Sequence, residues 1–469
     1  MGFKEYFKLD ENQRCLDSYQ KCVKYQDKLN ASITLVDPSA ALEGVSKGKL
    51  FKLPYALKDN VSTKGILTTA GSKILDNYLP VYDATIYQKL NKAGAVLVSK
   101  ASMDELAMGG NNKSSYIGPC LNPYDLKRIS GGSSGGSAVL VASGAVPFAI
   151  GSDTGDSVRK PASFCGVVGV KPTYGRISRY GVIPYANSLD HVGYFTTNVE
   201  DAALLLEVLA GRDDRDITSA DLPVLEYCKL LTGDVRGKKI LIFDTVLEAM
   251  KKHPQTIELF NKIIAGLEGK GAIIKHMSLD KNLAKAIFPT YYVIANCEAS
   301  ANHANLDGLR FGHTVDGETM EDIVINTRTR GFDSLIKKRF LVGAYSLNDQ
   351  NQELIYRKAQ KVRRLIVEAY NKELNEADCV LAPCSASGAL KLSEQVNDVL
   401  SDEYLIGENY MAIANFAGLP SMSVPMGYLN ELPIGINITA KAFDEVGMFD
   451  IAQAIEDITG LKDRVKEDF

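Results

Sequence analysis

Tryptophan is absent from the 469 residues, and histidine occurs only at positions 191, 253, 276, 303 and 313. Composition offers no physical account of the first absence. The second excludes more. None of the five histidines stands in an HExxH pair or at ligand spacing from a cysteine, which leaves no zinc-hydrolase signature, and each reads as a surface or core residue. No GxSxG turn is present to carry a serine–histidine triad. A GxxxxGK[ST] loop is also missing, which disfavours nucleotide hydrolysis within this chain. Eight cysteines are scattered without a CxxC, so reduced thiols are expected and not a disulfide framework or a metal cluster. Lys and Arg total 53 against 57 Asp and Glu, a net charge of −4. With no basic excess, any RNA contact has to be local or supplied by a partner. The longest nearly apolar run, Ala138 to Ile150, is interrupted by Ser143, Gly144 and Pro147 and is too short to span a bilayer. The charged start lacks the apolar stretch of a signal peptide, so a soluble, cytoplasmic chain with no membrane contact is expected.

What is present is ordinary for a globular protein: 45% hydrophobic and 23% charged residues. The length suits two or three domains or one large α/β unit. Residues 10 to 30 read as an amphipathic surface helix. Leu50 to Leu57 reads as a strand ending at Lys58, 84 to 93 as a helix, 95 to 98 as a short buried strand, and Ser102 to Leu106 as a helix start. Farther on, 237 to 243, 255 to 267 and 272 to 275 form a β-α-β pattern after a polar stretch, Gly211 to Asp221, that could connect subdomains. Helical patterns occupy roughly 286 to 305 and 346 to 375. A hairpin is expected around Asn430 and a last helix over Phe449 to Ile458. The alternation of helices and strands implies an α/β fold with crossover connections.

Two Gly/Ser segments stand out. Ser130-Gly131-Gly132-Ser133-Ser134-Gly135-Gly136-Ser137 has a linker's composition, yet it runs straight into a buried helix, 138 to 145, and a strand, 146 to 151. The second, Gly151 to Ala162, leaves that strand through Ser152-Asp153-Thr154-Gly155-Asp156-Ser157 and opens into a turn or helix. Successive backbone N–H groups pointing outward there would stabilise an oxyanion, and a serine at the end of such a turn is a nucleophile if a base takes its proton. A lysine has an unperturbed pKa of about 10.4 and becomes a base near neutrality only when burial depresses it. Lys58, at the end of an apolar strand, is placed for that.

These three segments, LPYALKDN at 53–60, GGSSGGSA at 131–138 and GSDTGDSVRKPASFCGVVGVKPTYGR at 151–176, together resemble the amidase signature family. The resemblance is strongest over about 40–200 and weaker to the C-terminus. It implies an α/β/α sandwich with a large mixed, mostly parallel central sheet covered by helices on both faces. One domain over 1–469 would carry a helical segment at about 1–35, a core at about 40–200 and a β-α-β-containing second half at about 237–469. It further implies Ser157 as nucleophile, Ser133 as bridging serine after a cis Gly132–Ser133 peptide, and Lys58 as base. The backbone N–H groups of Thr154, Gly155, Asp156 and Ser157 would form the oxyanion hole.

Two positions depart from the family pattern: 156 is usually Gly and here Asp, and 160 is usually Gln and here Lys. If the turn continues helically, Lys160 and Asp156 form an i,i+4 ion pair worth about 0.3–0.5 kcal/mol, and Lys160 holds Asp156 out of the hole.

Within the family, segments such as Ser102 to Gly109, Lys171 to Arg176, Glu298-Ala299-Ser300 and Lys358 to Arg363 are most similar to the ammonia-generating subunits of tRNA-dependent amidotransferases. That implies glutamine as substrate, whose α-carboxylate and α-ammonium need a cation and an anion. Arg339 ahead of Leu341-Val342-Gly343 matches the cation, Glu408 upstream of Asn415-Phe416-Ala417-Gly418-Leu419 the anion (Glu where the family has Asp), and Tyr291 a contact to the side chain. No cofactor or metal would sit in this chain. ATP and Mg2+ would belong to a B-type kinase/transamidase subunit that amidates Glu-tRNA(Gln) and possibly Asp-tRNA(Asn), with a small C-type subunit completing the complex and tRNA contacted only through it. A stand-alone amidase for another small amide, or a non-catalytic subunit disabled by Asp156, are the alternatives.

Overall fold

The computed structural model describes residues 1–395 and 398–469. Thirteen strands are formed among the described residues: β1 Ser32–Leu35, β2 Pro54–Lys58, β3 Val96–Ala101, β4 Leu121–Asn122, β5 Asp125–Ile129, β6 Phe148–Asp153, β7 Val168–Lys171, β8 His191–Thr196, β9 Lys239–Phe243, β10 Ile273–Met277, β11 Cys379–Pro383, β12 Ser421–Leu429 and β13 Leu432–Ala440. Eleven of them make one sheet in the order β1-β3-β2-β6-β8-β7-β12-β13-β11-β9-β10, while β4 and β5 pair separately. The sheet is large and mixed, as expected. Its parallel ladders form two blocks, β3–β2–β6 and β11–β9–β10, and antiparallel ladders join them across the centre. Parallel neighbours require crossover segments. For the two pairs of consecutive strands they include the helices Thr85–Lys92, between β2 and β3, and Pro254–Gly269, between β9 and β10.

Both faces of the sheet are covered. Tyr55 and Leu57 of β2 enter one apolar cluster and Ala56 another, and Ile240 and Ile242 of β9 part from Leu241 and Phe243 in the same way. This two-residue alternation inside continuously apolar strands is the pattern of a sheet buried on both sides. The hairpin of β12 and β13 turns at Asn430–Glu431, both at positive φ (48° and 68°), the backbone that matches strand twist in a two-residue loop.

Two expectations are corrected. Ser102–Leu106 does not start a helix. A single 3₁₀ turn, Glu105–Ala107, forms with Leu106 at φ 52°, because the Asp104 carboxylate accepts from the Asn111 and Asn112 amides and from the Ser114 hydroxyl instead of capping a helix. The helical pattern from 346 begins only at Tyr356, and two further helices, Met320–Gly331 and Ser334–Leu347, precede it. The polar stretch 211–221 is tied to its surroundings: Asp213 accepts from Ser178 Oγ (2.7 Å) and from Thr85, and Ala220 N–H donates to the Gly175 carbonyl.

Candidate active site

β2 delivers Lys58 at its C-terminal end, beside β6. The Lys58 side chain is wholly buried, with its Nζ 2.8 Å from Ser133 Oγ, 2.8 Å from Ser134 Oγ and 2.9 Å from Ser152 Oγ. Burial strips the ammonium of water and brings its pKa down to about 7. The carboxylates of Asp104, Asp153 and Asp190 oppose the fall. The three oxygens are not equivalent. Ser134 Oγ donates to the Ser152 carbonyl (3.0 Å), and Ser152 Oγ already accepts from Asn60 Nδ2 (3.2 Å). An ammonium donates to all three. A neutral amine keeps two N–H groups for Ser134 and Ser152, and its lone pair then falls to the proton of Ser133.

Ser133 follows a cis Gly132–Ser133 peptide and sits one residue before the N-cap of the buried helix Gly135–Ala142. Gly132 is required by close approach: a Cβ there would overlap the Asp104 carboxylate and crowd the Asn111 and Asn112 amides. The 154–157 loop is tied to this segment by Ser134 N–H donating to the Ser157 carbonyl (3.2 Å). Ser157 is buried. Among the described residues no hydrogen bond links Ser133 Oγ to Ser157 Oγ, so the structure brings Lys58 and Ser133 into direct contact and Ser157 next to them through the backbone.

The loop's shape comes from Asp153 and Arg159. Arg159 forms a forked pair with Asp153, Nη2 to Oδ1 at 2.8 Å and Nε to Oδ2 at 3.1 Å. Although burial would push this carboxyl up, the guanidinium holds it well below the usual carboxylate range. Asp153 also accepts the Val158 amide, and Arg159 Nη2 donates to the Gly155 carbonyl at 2.7 Å. In a trans peptide C=O and N–H point opposite ways, so fixing that carbonyl inward turns the Asp156 N–H outward. Among the described residues, none of the N–H groups of Thr154, Gly155, Asp156 and Ser157 donates a hydrogen bond within the chain. Four clustered, uncommitted donors beside a serine are the geometry of an oxyanion site.

Lys160 Nζ is 3.7 Å from Asp156 Oδ2 but 2.8 Å from Glu408 Oε2. The expected i,i+4 pair is thus the longer of two contacts. Glu408, at the end of a short π-helical turn Glu403–Gly407, also accepts the Ala386 amide at 2.8 Å, so both its oxygens have partners. Burial raises the Asp156 carboxyl to about 6 in spite of Lys160. Tyr291, on the helix Ile287–Asn302, lies against Gly155, where a Cβ would stand 3.0 Å from its ring. Arg339, on Ser334–Leu347, donates from Nη1 to Tyr185 OH (2.8 Å) and lies over the Tyr292 ring at 5.3 Å. Its Nε is buried with no hydrogen-bond partner among the described residues.

Sequence reasoning missed Ser134, Ser152, Asp104, Arg159, Tyr185 and Asn415 as site residues. Ser134 and Ser152 lie within the two Gly/Ser segments, whose composition is the signal that could have found them. Asn415, whose Oδ1 accepts from Arg159 (2.7 Å) and whose Nδ2 donates to Asp153 Oδ1 (3.0 Å), joins the second half of the chain to the loop; its motif served only as a landmark for Glu408, and no local pattern marks Tyr185.

An amidase-family model matches residues 15–449, and the chain belongs to that family. More particularly, it is similar to the A-type subunit of glutamyl-tRNA(Gln) amidotransferase from Methanosarcina mazei, 43% identical over 97% of this chain and 95% of that one, and to its counterpart in a Geobacillus strain, 41% identical over 94% and 93%. Among solved structures it is similar to the counterpart from Thermotoga maritima (37% identity, TM-score 0.80, covering 97% and 94% of the two chains). A peptide amidase from Stenotrophomonas maltophilia shares 27% identity with a TM-score of 0.82, covering 98% and 96%. Among the described residues no helix is long and apolar enough to cross a membrane.

Proposed function

We propose that this chain is the ammonia-generating subunit of a tRNA-dependent amidotransferase and that it hydrolyses the side-chain amide of glutamine. The observation that carries the reading is the buried Lys58 amine, lowered to about 7 and in contact with Ser133. Neutral Lys58 accepts the Ser133 proton as Ser133 takes the proton of Ser157. Ser157 Oγ then bonds to the amide carbon, and the oxyanion is received by the N–H groups of 154–157; one such donor is typically worth about 2.7–4 kcal/mol. As the C–N bond breaks, the proton returns through Ser133 to the leaving nitrogen and ammonia departs. Water cleaves the glutamyl ester by the same relay in reverse.

The names of the relatives at 41–43% identity, over nearly their full lengths, support the amidotransferase context. In that context ATP and Mg2+ are held by a B-type subunit, a small C-type subunit completes the assembly, and tRNA is contacted through the complex. The chain's net charge of −4 is compatible with this division of labour.

Ammonia release from glutamine, measured for the chain alone and with B- and C-type subunits, tests the proposal. Glutamine-dependent ammonia in the complex, lost by at least about a thousandfold in Ser157→Ala, is expected. Equal activity of Ser157→Ala, or turnover of other amides but not glutamine, overturns it.

A further inference from the structure

Asp156 stands immediately before Ser157, where its charge would oppose an oxyanion forming on the adjacent amides. Its carboxylate has no hydrogen bond among the described residues, and its one ion pair, to Lys160, is 3.7 Å long. Lys160 is committed elsewhere, with Glu408 at 2.8 Å and a further bond to the Glu408 carbonyl. Glu408, in turn, spends its second oxygen on the Ala386 amide. The three groups therefore form a chain in which Glu408 is neutralised and Asp156 is left short of positive charge.

The opposite deficit is at Arg339, on the helix Ser334–Leu347. Arg339 has one N–H bond to Tyr185 and a buried Nε without a partner. The ring of Tyr291 rests on Gly155, next to Asp156, and Arg339 lies over the ring of the neighbouring Tyr292 at 5.3 Å. An under-paired anion and an under-paired cation flanking one aromatic wall, beside a nucleophile, fit a zwitterion.

We infer that Asp156, and not Glu408, receives the ammonium of an α-amino-acid amide, with Arg339 receiving its carboxylate. This rests on the glutamine reading above and assigns one of its specificity residues. The substrate's own cation would then neutralise the carboxylate next to the oxyanion site, so an amide lacking the ammonium meets an uncompensated negative charge. Lys160 becomes a positioning residue that withdraws Glu408 and frees Asp156 for the ligand.

The test is calorimetric binding to the full-length Ser157→Ala chain, comparing glutamine with 4-carbamoylbutanoate, which lacks only the α-amino group. Binding in this background is read without turnover, so failure of the catalytic reading shows separately, as absent ammonia release by the unmodified chain. Adding Asp156→Asn is expected to weaken glutamine by roughly 10- to 100-fold, the worth of a charge-assisted hydrogen bond. Affinity for 4-carbamoylbutanoate is expected to hold or improve, which also reports that the loop is folded. Asp156→Gly, which removes the side chain, should give the same loss should asparagine distort the turn. Undiminished preference for glutamine in both variants overturns the inference. So does a preference abolished by Glu408→Gln and spared by Asp156→Asn, and so does glutamine that fails to bind at all.

Discussion

Lys58, Ser133 and Ser134 are entirely buried and Ser152 nearly so, whereas Arg339, Tyr291 and Glu408 each keep part of their surface in solvent. The first group hangs from β2, β6 and the entry to the helix Gly135–Ala142. There backbones approach so closely that Gly132 admits no side chain and Gly136 presses on Ala31 and Ser102. The second group is carried by the helices Ile287–Asn302 and Ser334–Leu347 and by the turn before Glu408, and it is held by long side chains that share partners: Arg339 with Tyr185 and Tyr292, Lys160 with Glu408 and Asp156. Proton transfer demands heavy atoms near 3 Å, which a packed backbone secures. Charge recognition tolerates exchange of partners as long as each buried charge is met. The departures at 156 and 160 straddle the seam between the two walls.

The largest effect that separates the walls is expected from Lys58→Met, which removes the proposed base without adding charge. Turnover of a scissile amide should fall by roughly 10²- to 10⁴-fold. In the unmodified chain a depressed lysine is protonated below its pKa and cannot accept, so kcat/KM should decline as pH drops through about 7. The same shift has a stability counterpart. Between about 7 and the ordinary value of 10.5 the unfolded chain binds the proton that the native state has released, so Lys58 makes stability rise with pH over that window. A pH–rate profile lacking an acid limb near 7 would assign the base elsewhere.

Tyr185→Phe probes the other wall by deleting the hydroxyl 2.8 Å from Arg339. KM for glutamine should rise by about tenfold, given what a hydrogen bond to a charged group is worth, with kcat little changed. Unaltered KM would make Arg339 scaffold and not ligand-binding.

Gly136→Ala challenges the backbone half, since its Cβ would stand 2.5 Å from the Ala31 carbonyl and from both Ser102 N and O. None of these can move as a side chain would, so unfolding stability should drop by about 1–3 kcal/mol, measured in denaturant. Smallest is Thr319→Ala, which breaks the capping box with Asp322 at the start of Met320–Gly331. A stability loss of about 0.5–2 kcal/mol is expected with kinetics unchanged.

The difference between the walls also explains what was legible in the chain itself. Lys58, Ser133 and the 154–157 loop lie in short contiguous segments whose glycines and serines mark them, so their chemistry is readable in order along the chain. Glu408 is readable by its distance from Asn415, yet its pairing with Lys160, 248 residues away, is not. The Lys160–Asp156 contact follows from helical spacing. That it loses to Glu408 does not, because local spacing carries no information about a competitor arriving from another element. The helices Met320–Gly331 and Ser334–Leu347 escape a reading by pattern for a related reason. Their buried residues are few, Thr327 and Gly331 in one and Ile336, Gly343 and Ser346 in the other, which leaves little apolar periodicity to read.

What the amino-acid order determined by itself was the set of local geometries: apolar strands that bury a lysine, glycines that let serines approach it, and a turn whose amides are free. Tertiary structure alone decided which charges meet, since burial and the arrival of distant side chains set the local dielectric and the supply of counter-ions. Those two quantities place Lys58 near neutrality, bind Glu408 to Lys160, and leave Asp156 beside Ser157 with its charge incompletely met.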